Sequence, residues 1–259
     1  MAFLFKERQK VLAGLRDVVD RAYYRIPDEF ITINHHQASL LKRFVHGKEV
    51  HVIHLPLLNP WVSDQKACSP PSHSEGKLHI GIVGRIEFNQ KNQEILIEVS
   101  NILRKRNNAF VFHIIGDGPD RKRLERAIDE NRLKEHFVLY GWLDKRHISR
   151  LMSRKIDFML IPSNYEGVPL VLLETVSLAR PFLISNLDGL QEYALPEPFL
   201  IDPHNPEDIA AKILHMKENP EPVEYQRIRQ EILKRHSREK FQEDVLHTFD
   251  RLLRKSPRR

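Results

Sequence analysis

The chain has 259 residues, 41% of them hydrophobic and 29% charged, which is typical of a globular protein with a sizeable core in one or two domains. The net charge of +6 favours anionic partners such as nucleotides, phosphates or an anionic lipid surface. Three features argue against a membrane span, secretion and nucleic-acid binding: no apolar run near 20 residues, too short an apolar start for a signal peptide, and no basic segment interleaved with aromatic residues.

Cys68 is the single cysteine of the chain. A lone cysteine excludes an internal disulfide and a cysteine-based zinc site, so we expect a cytoplasmic protein. Contact with the inner face of a membrane is a further hypothesis. It rests on the amphipathic start of the chain and on its basic C-terminal tail.

The first 62 residues predict a small α/β segment. Apolar residues share one stripe over residues 1–25, which predicts an amphipathic helix. A strand, a helix and a second strand are predicted at residues 30–33, 36–44 and 50–55. Residues 63–77 are rich in serine, proline and polar residues, which predicts a linker.

From Leu78 onward, short apolar strands alternate with helices. Strands are predicted at residues 78–84, 110–115, 137–140, 156–161, 181–185 and 199–201. Helices are predicted at residues 90–106, 119–132, 145–154, 170–179, 205–218, 222–235 and 237–254. Continuous apolar strands are typical of a parallel sheet covered on both faces. The sequence therefore predicts a doubly wound, Rossmann-like α/β domain over residues 78–236, which binds its ligand at the carboxyl edge of the sheet, followed by a C-terminal helix and basic tail at 237–259.

Two cations follow the first strand of this domain. Gly84 permits a tight turn, and Arg85 and Lys91 flank the loop that leads into the next helix. A diphosphate needs its charge neutralised by a divalent metal or by fixed cations. These two residues are candidates for that task, and the alternative is that both are solvated surface cations.

Two carboxylates follow the fourth strand. Glu166 precedes Gly167 and Pro169 on the predicted loop, and Glu174 lies in the helix that follows. The loop and the start of the helix also offer free backbone N–H groups, from Gly167 to Leu170. Such a pocket suits a polyhydroxylated ligand that carries negative charge, as a sugar nucleotide does. The alternative is a chance spacing of two solvated glutamates.

Other strand ends carry weaker signals. Gly116 to Asp120 predicts a structural turn into a helix with proline at its first position. Gly141 and Trp142 follow the third strand, where the backbone can face a base, although Trp142 can equally be a packing residue. The histidines show no spacing typical of metal ligands, so no metal site is predicted.

Residues 78–254 resemble the nucleotide-sugar-binding half of retaining glycosyltransferases of family 4, which have the GT-B fold. The residues that carry the resemblance are Gly84, Arg85, Lys91, Ile115 to Pro119, Gly141, Trp142, Pro162, Ser163, Glu166 to Leu170, Glu174, Gly189 and Glu192. One departure is Ala179, which stands where the family usually has glycine, so we expect the local turn to be altered.

The resemblance implies a role for each candidate residue. Arg85 and Lys91 would bind the diphosphate of a UDP- or GDP-linked sugar and stabilise the leaving group, with no metal or other cofactor. Glu174 would hold the ribose hydroxyl groups. Glu166 would hold the transferred sugar, together with the backbone of Gly167, Val168, Pro169 and Leu170. Gly84 and the Gly141, Trp142 and Leu143 segment would complete the donor site.

The first 62 residues resemble only the last part of the acceptor lobe of such enzymes. Two strands do not make a self-sufficient lobe, so we expect a partner subunit or a second protomer to complete the cleft. The competing hypothesis is a non-catalytic module that binds a nucleotide or packs against other proteins. A sugar epimerase or phosphorylase would share the fold class and is the least favoured reading.

Overall fold

The computed structural model describes residues 24–57, 76–219 and 224–255. The predicted helix at residues 1–25 and the predicted linker at 63–77 lie almost wholly outside these ranges, as does the end of the basic tail. The chain divides into two compact units. Residues 1–55 and 242–259 form the first unit, and residues 56–241 form the second.

The described part of the first unit contains a small parallel sheet. Strands β1 (Glu29–Thr32) and β2 (Glu49–Val52) pair in parallel, and helix α1 (His35–Lys42) connects them. Helix α1 begins where the Asn34 side chain accepts a 2.7 Å hydrogen bond from the N–H of Gln37, a typical N-cap contact. The three predicted elements are confirmed to within two residues of each boundary, except that β2 ends three residues early.

The second unit is built on six parallel strands. They are β3 (Leu78–Val83), β4 (Phe110–Ile115), β5 (Phe137–Gly141), β6 (Phe158–Ile161), β7 (Phe182–Ser185) and β8 (Leu200–Ile201). Their spatial order is β5-β4-β3-β6-β7-β8. This is the strand order of a doubly wound dinucleotide-binding sheet, so the predicted fold class is confirmed.

Seven further helices accompany these strands in the described ranges: α2 (Phe88–Lys91), α3 (Ile95–Lys105), α4 (Arg121–Glu130), α5 (Lys145–Arg154), α6 (Leu170–Ser177), α7 (Pro206–Glu218) and α8 (Tyr225–Arg235). A last helix, α9 (Arg238–Lys255), begins in the second unit, and most of its residues belong to the first. Short 3₁₀ segments lie at Lys134–His136, Asp188–Tyr193 and Glu197–Phe199. None of the helices in the described part of the chain is long and apolar enough to cross a bilayer.

The single helix predicted over residues 90–106 is wrong. Asn92 adopts a left-handed conformation (φ 56°) and separates the one-turn helix α2 from α3. Its side chain donates a 2.7 Å hydrogen bond to the carbonyl of Pro203. Asparagine tolerates this conformation better than most residues, and the tertiary contact holds it there. The break leaves Lys91 at the end of its own short helix.

The core of the second unit lies on both faces of the sheet. All six residues of β4 are buried, as are all residues of β6 and β7. Side chains from α3 and α7, including Leu96, Leu103 and Ile213, pack against the same core. Since the strand order reverses between β3 and β6, the connections that leave these two strands diverge and open a crevice at their carboxyl ends.

Candidate functional site

A cavity occupies this crevice between β3 and β6. The space between its atoms is about 230 Å³, a figure that includes open solvent, so the cavity is a shallow cleft and not an enclosed chamber. Its wall is made by strand ends, by the start of α6 and by polar residues from the loops: Ile82, Val83, Lys91, Gln93, Leu160, Ile161, Pro162, Ser163 and Val171. The site therefore lies where the strand topology predicts a ligand.

Two residues of the cavity wall, Lys91 and Ser163, contact Glu166. The Nζ of Lys91 donates to the Oε1 of Glu166, and the hydroxyl of Ser163 donates to the same oxygen over 3.1 Å. The Lys91 side chain is 22% exposed and that of Glu166 is 10% exposed. The ion pair is thus partly withdrawn from water, where its charges interact more strongly than on an open surface.

Asn164 brings the two partners together by fastening the β6–α6 loop to helix α2. Its backbone N–H donates to the carbonyl of Gln90 over 2.8 Å, and its side-chain amide donates to the carbonyl of Asn89 over 3.0 Å. The last carbonyls of a helix have no partner within the helix. By satisfying two of them, Asn164 places the Glu166 loop beside Lys91.

Arg85 takes a different position from Lys91. Its side chain is 62% exposed and lies 3.6 Å from the carboxylate of Glu87. The buried side chain of Gln93 holds this loop: its amide donates to the carbonyl of Arg85 over 2.8 Å and its oxygen accepts from the N–H of Glu87. The backbone of the Arg85 loop is therefore restrained, whereas the guanidinium extends into solvent.

Two neighbouring loops of the sheet edge pack backbone against backbone. Gly84 has φ 151° and donates its N–H to the carbonyl of Ile115. A Cβ at Gly116 would lie 2.0 Å from the carbonyl oxygen of Gly84, and a Cβ at Gly118 would lie 2.2 Å from that of Ile86. The glycines after β4 thus allow the loop that carries Arg85 to lie directly against their own loop.

Asp120 completes this support. One oxygen of its carboxylate accepts a 2.8 Å hydrogen bond from the N–H of Phe88, the first residue of α2. Sequence reasoning missed Asp120, Gln93 and Asn164, because their contacts join loops that are distant in the chain. Proline at position 119 was the available signal for an ordered turn, but it does not reveal which helix the following aspartate caps.

The loop before α6 presents the remaining sugar-site candidates. Val168 and Pro169 are buried, Gly167 is half-buried, and Leu170 is exposed as the first residue of the helix. Since a helix leaves its first N–H groups without internal partners, the α6 terminus offers donors to an anion or a hydroxyl.

Glu174 lies one turn into α6 and is half-buried. Burial raises the pKa of its carboxyl, and the positive charge of Lys145 partly opposes that rise. Lys145 is the first residue of α5. The structure therefore brings the start of α5 near the carboxylate that the resemblance assigns to ribose.

Trp142 follows β5 and is 72% exposed. The reading of Trp142 as a packing residue is wrong, because its ring lies mostly in solvent. Gly141, by contrast, is buried with φ 69°, and its carbonyl accepts a 2.8 Å hydrogen bond from the N–H of Gly116. Leu143 is half-buried.

Ala179, which replaces the usual glycine, has φ 54°. It follows α6, where the N–H of Arg180 donates to the carbonyl of Thr175. The residue thus adopts the left-handed conformation that ends many helices and that glycine favours. Alanine carries a steric cost in this conformation.

One group of potential metal ligands lies in the first unit. Glu29, Glu49 and His51 place ligand atoms within 4.8 Å of one another. These side chains already have polar partners, since His51 contacts Glu29 and Arg251 contacts Glu49 over 2.9 Å. We assign no metal to this group.

A doubly wound parallel sheet with a cavity at its switch point defines the class of α/β domains that bind their ligands at the carboxyl ends of the strands. A family model described as glycosyl transferases group 1 matches residues 65–235. The chain belongs to this family, because the match covers more than half of its length.

Individual relatives agree with this assignment. The poly(ribitol-phosphate) alpha-N-acetylglucosaminyltransferase of Staphylococcus aureus is 27% identical over 192 residues, which are 71% of this chain and 38% of that protein. An uncharacterized glycosyltransferase of Methanocaldococcus jannaschii is 29% identical over 151 residues, which are 58% of this chain and 41% of the relative. The chain thus spans about two fifths of these relatives.

Solved structures share the fold. The structure of Anabaena HepE in complex with UDP and glucose superimposes with a TM-score of 0.72 at 17% identity, over 92% of this chain and 67% of that one. At this identity the likeness concerns the fold alone.

Proposed function

We propose that this chain is the donor-binding part of a glycosyltransferase of family 4, which transfers a sugar from a UDP- or GDP-linked donor with retention and without a metal ion. The observation that carries the proposal is Lys91, which lines the cavity of the switch point and pairs with Glu166 beside it, inside the region that matches the family. A cation and a carboxylate at one cavity suit a ligand that joins a diphosphate to a sugar.

In the proposed site, Lys91 leaves Glu166 and binds the diphosphate, and the exposed guanidinium of Arg85 closes over it. Charge builds on the leaving diphosphate as the bond to the sugar breaks, and fixed cations stabilise that charge. Glu166 then accepts hydrogen bonds from the sugar hydroxyls. Glu174 accepts them from the ribose, and the backbone of Gly141 to Leu143 faces the base.

The acceptor side of the cleft would come from a partner subunit or a second protomer. In the described part of the first unit, β1 and β2 pair only with each other. Large apolar side chains of this unit are exposed, among them Ile31, Phe44, Leu246, Phe249 and Leu253. Exposed apolar groups and open strand edges favour association with another polypeptide.

Calorimetric titration with UDP, GDP and ADP tests the donor site. We expect one nucleotide to bind, and the double substitution Arg85→Ala/Lys91→Ala to weaken its binding at least tenfold, because two phosphate contacts are lost. The control Arg104→Ala/Lys105→Ala removes the same charge at the end of α3, which leads away from the carboxyl edge. Equal binding by both variants would favour a non-catalytic module that packs against other proteins.

A turnover assay then separates an enzyme from a nucleotide-binding module. Nucleotide-sugar consumption is measured for the purified chain alone and with candidate partner proteins. We expect turnover only when an acceptor lobe is supplied. Nucleotide binding without turnover in any combination would identify a non-catalytic module.

A further inference from the structure

A chain of three hydrogen-bonded side chains crosses strands β3, β4 and β5. The Nδ1 of His79 lies 2.8 Å from the Nε2 of His113, and the Nδ1 of His113 lies 2.8 Å from the hydroxyl oxygen of Tyr140. His113 is fully buried, and its ring stacks on that of Tyr140 with centroids 5.8 Å apart. The cavity chemistry proposed above uses none of the three residues.

Tyr140 occupies an irregular position in β5. Ile114 is paired with Leu139 and Ile115 with Gly141, so Tyr140 is an extra residue without a ladder partner on β4. An extra residue bends a strand and redirects the residues that follow it, and such bulges are frequent beside active sites. The residues that follow are Gly141, Trp142 and Leu143.

The segment Gly141–Leu143 lacks an apolar anchor at its centre, since Trp142 is 72% exposed. Polar contacts hold both of its ends. At the far end, the carboxylate of Asp144 accepts a 2.9 Å hydrogen bond from the N–H of His147 and caps α5. At the near end, two contacts hold the segment: the hydrogen bond from Gly116 to Gly141 and the contact of the Tyr140 hydroxyl with His113.

We propose that Tyr140, held by His113 and His79, is a positioning residue that sets the backbone of Gly141–Leu143 for recognition of the base of a nucleoside diphosphate. This inference rests on the proposed function. It adds that the base end of the ligand depends on the polar chain, whereas the diphosphate end depends on the Lys91 loop.

The hydroxyl of Tyr140 is the decisive group. His113 is neutral, because burial, together with the charges of His79 and Lys155, lowers its pKa to about 3. A neutral imidazole has one N–H and one bare nitrogen, so a bond on each side satisfies it completely. Tyr140→Phe keeps the stacked ring but leaves one buried nitrogen of His113 without its partner, and the bulge loses its restraint.

The test compares binding of UDP, GDP and inorganic pyrophosphate by calorimetry. We expect Tyr140→Phe to weaken binding of the preferred nucleoside diphosphate by about three- to tenfold, the effect of losing one buried hydrogen bond. The affinity for pyrophosphate should stay within about twofold of the wild-type value. Tyr193→Phe is a matched control, because Tyr193 also bonds a buried histidine, His236, over 2.7 Å with stacked rings. Tyr193→Phe should lower the stability of the protein. It should leave unchanged the ratio of the dissociation constants for the nucleoside diphosphate and for pyrophosphate.

A second variant guards against loss of folding. His113→Phe breaks the same bond from the other side, so the double variant Tyr140→Phe/His113→Phe should show no loss of nucleotide affinity beyond that of the single changes. Three results would overturn this inference but not the proposed function. They are additive losses of nucleotide affinity in the double variant, equal weakening of nucleotide and pyrophosphate binding by Tyr140→Phe, and nucleotide binding that Tyr140→Phe leaves unchanged. A wild-type chain that binds neither nucleotide nor pyrophosphate would overturn the proposed function and this inference together.

Discussion

Lys91 lines the cavity and forms an ion pair with Glu166, which lies beside it. In the proposed site, an incoming diphosphate would therefore compete with Glu166 for the ammonium group of Lys91. The hydrogen bond from Ser163 stabilises the carboxylate in this position and strengthens the competition. At the scale of single residues, we therefore predict that this exchange sets the affinity of the proposed site for an anion.

Glu166→Gln should separate binding from turnover. The neutral amide no longer holds Lys91, so we expect the affinity for a nucleoside diphosphate to rise by about three- to tenfold, the range of one charge-assisted contact. Turnover of a nucleotide sugar in the presence of an acceptor lobe should fall, because the sugar hydroxyls no longer have the Glu166 carboxylate as a hydrogen-bond acceptor. Titration and a turnover assay measure the two effects.

Glu87→Gln is the matched control, since Glu87 faces the exposed Arg85 at 3.6 Å. Water screens such a contact, so affinity should change by less than about twofold. Unchanged or weaker nucleotide binding by Glu166→Gln would contradict the prediction that Glu166 and the diphosphate compete for Lys91.

Ala179 offers a second prediction at this scale. Its left-handed conformation strains an alanine but not a glycine. Ala179→Gly should raise the free energy of unfolding by about 0.5–1 kcal/mol, after the greater freedom of glycine in the unfolded chain is subtracted. Urea denaturation measures the change. The same substitution at the exposed Ala211 in α7 should lower the free energy of unfolding by about 1 kcal/mol. A lower free energy of unfolding in both variants would show that Ala179 is not strained.

At the scale of elements, the central strands bury a histidine, His113, that stays neutral near neutral pH in the folded chain. The folded-state pKa of His113 is about 3, against an ordinary value near 6.5. Below pH 6.5, His113 is protonated in the unfolded chain but remains neutral in the folded chain. The contribution of His113 to stability is therefore fully present above pH 6.5 and is lost as the pH falls towards 3.

Urea denaturation between pH 7 and pH 4 tests this sign. The free energy of unfolding should fall by about 1.4 kcal/mol per pH unit below pH 6 on account of His113. His113→Gln should remove this part of the slope. Glu174 acts in the opposite direction, because its raised pKa favours proton uptake by the folded chain. Equal slopes for the two proteins would show that His113 titrates normally.

The order of elements could be predicted from the sequence, because continuous apolar runs and the turn residues between them are local signals. The break at Asn92 could not, because it depends on a hydrogen bond to Pro203, which is remote in the chain. Of the candidate site, the strand-end positions of Lys91 and Glu166 were predictable. Their direct contact was not, because Asn164 creates it by docking one loop on another helix.

At the scale of the molecule, ligand binding should stabilise the second unit. A nucleoside diphosphate at 100 times its dissociation constant adds about 2.7 kcal/mol, which corresponds to a rise in Tm of about 5–10 °C. If fixed cations neutralise the diphosphate, the rise should be the same in EDTA and in magnesium. Thermal unfolding followed by circular dichroism measures it, and Lys91→Ala should abolish most of it. A rise that requires magnesium would refute the metal-independent site.

Sequence alone determined the alternation of strands and helices, the parallel character of the sheet and the residue types at its carboxyl edge. These properties follow from local hydrophobic patterns and from turn chemistry. Tertiary structure decided which of those residues meet: Lys91 with Glu166, Arg85 with Glu87, and Tyr140 with His113. The physical reason is that loop-to-loop hydrogen bonds and buried polar contacts depend on distances in space, which separation along the chain does not specify.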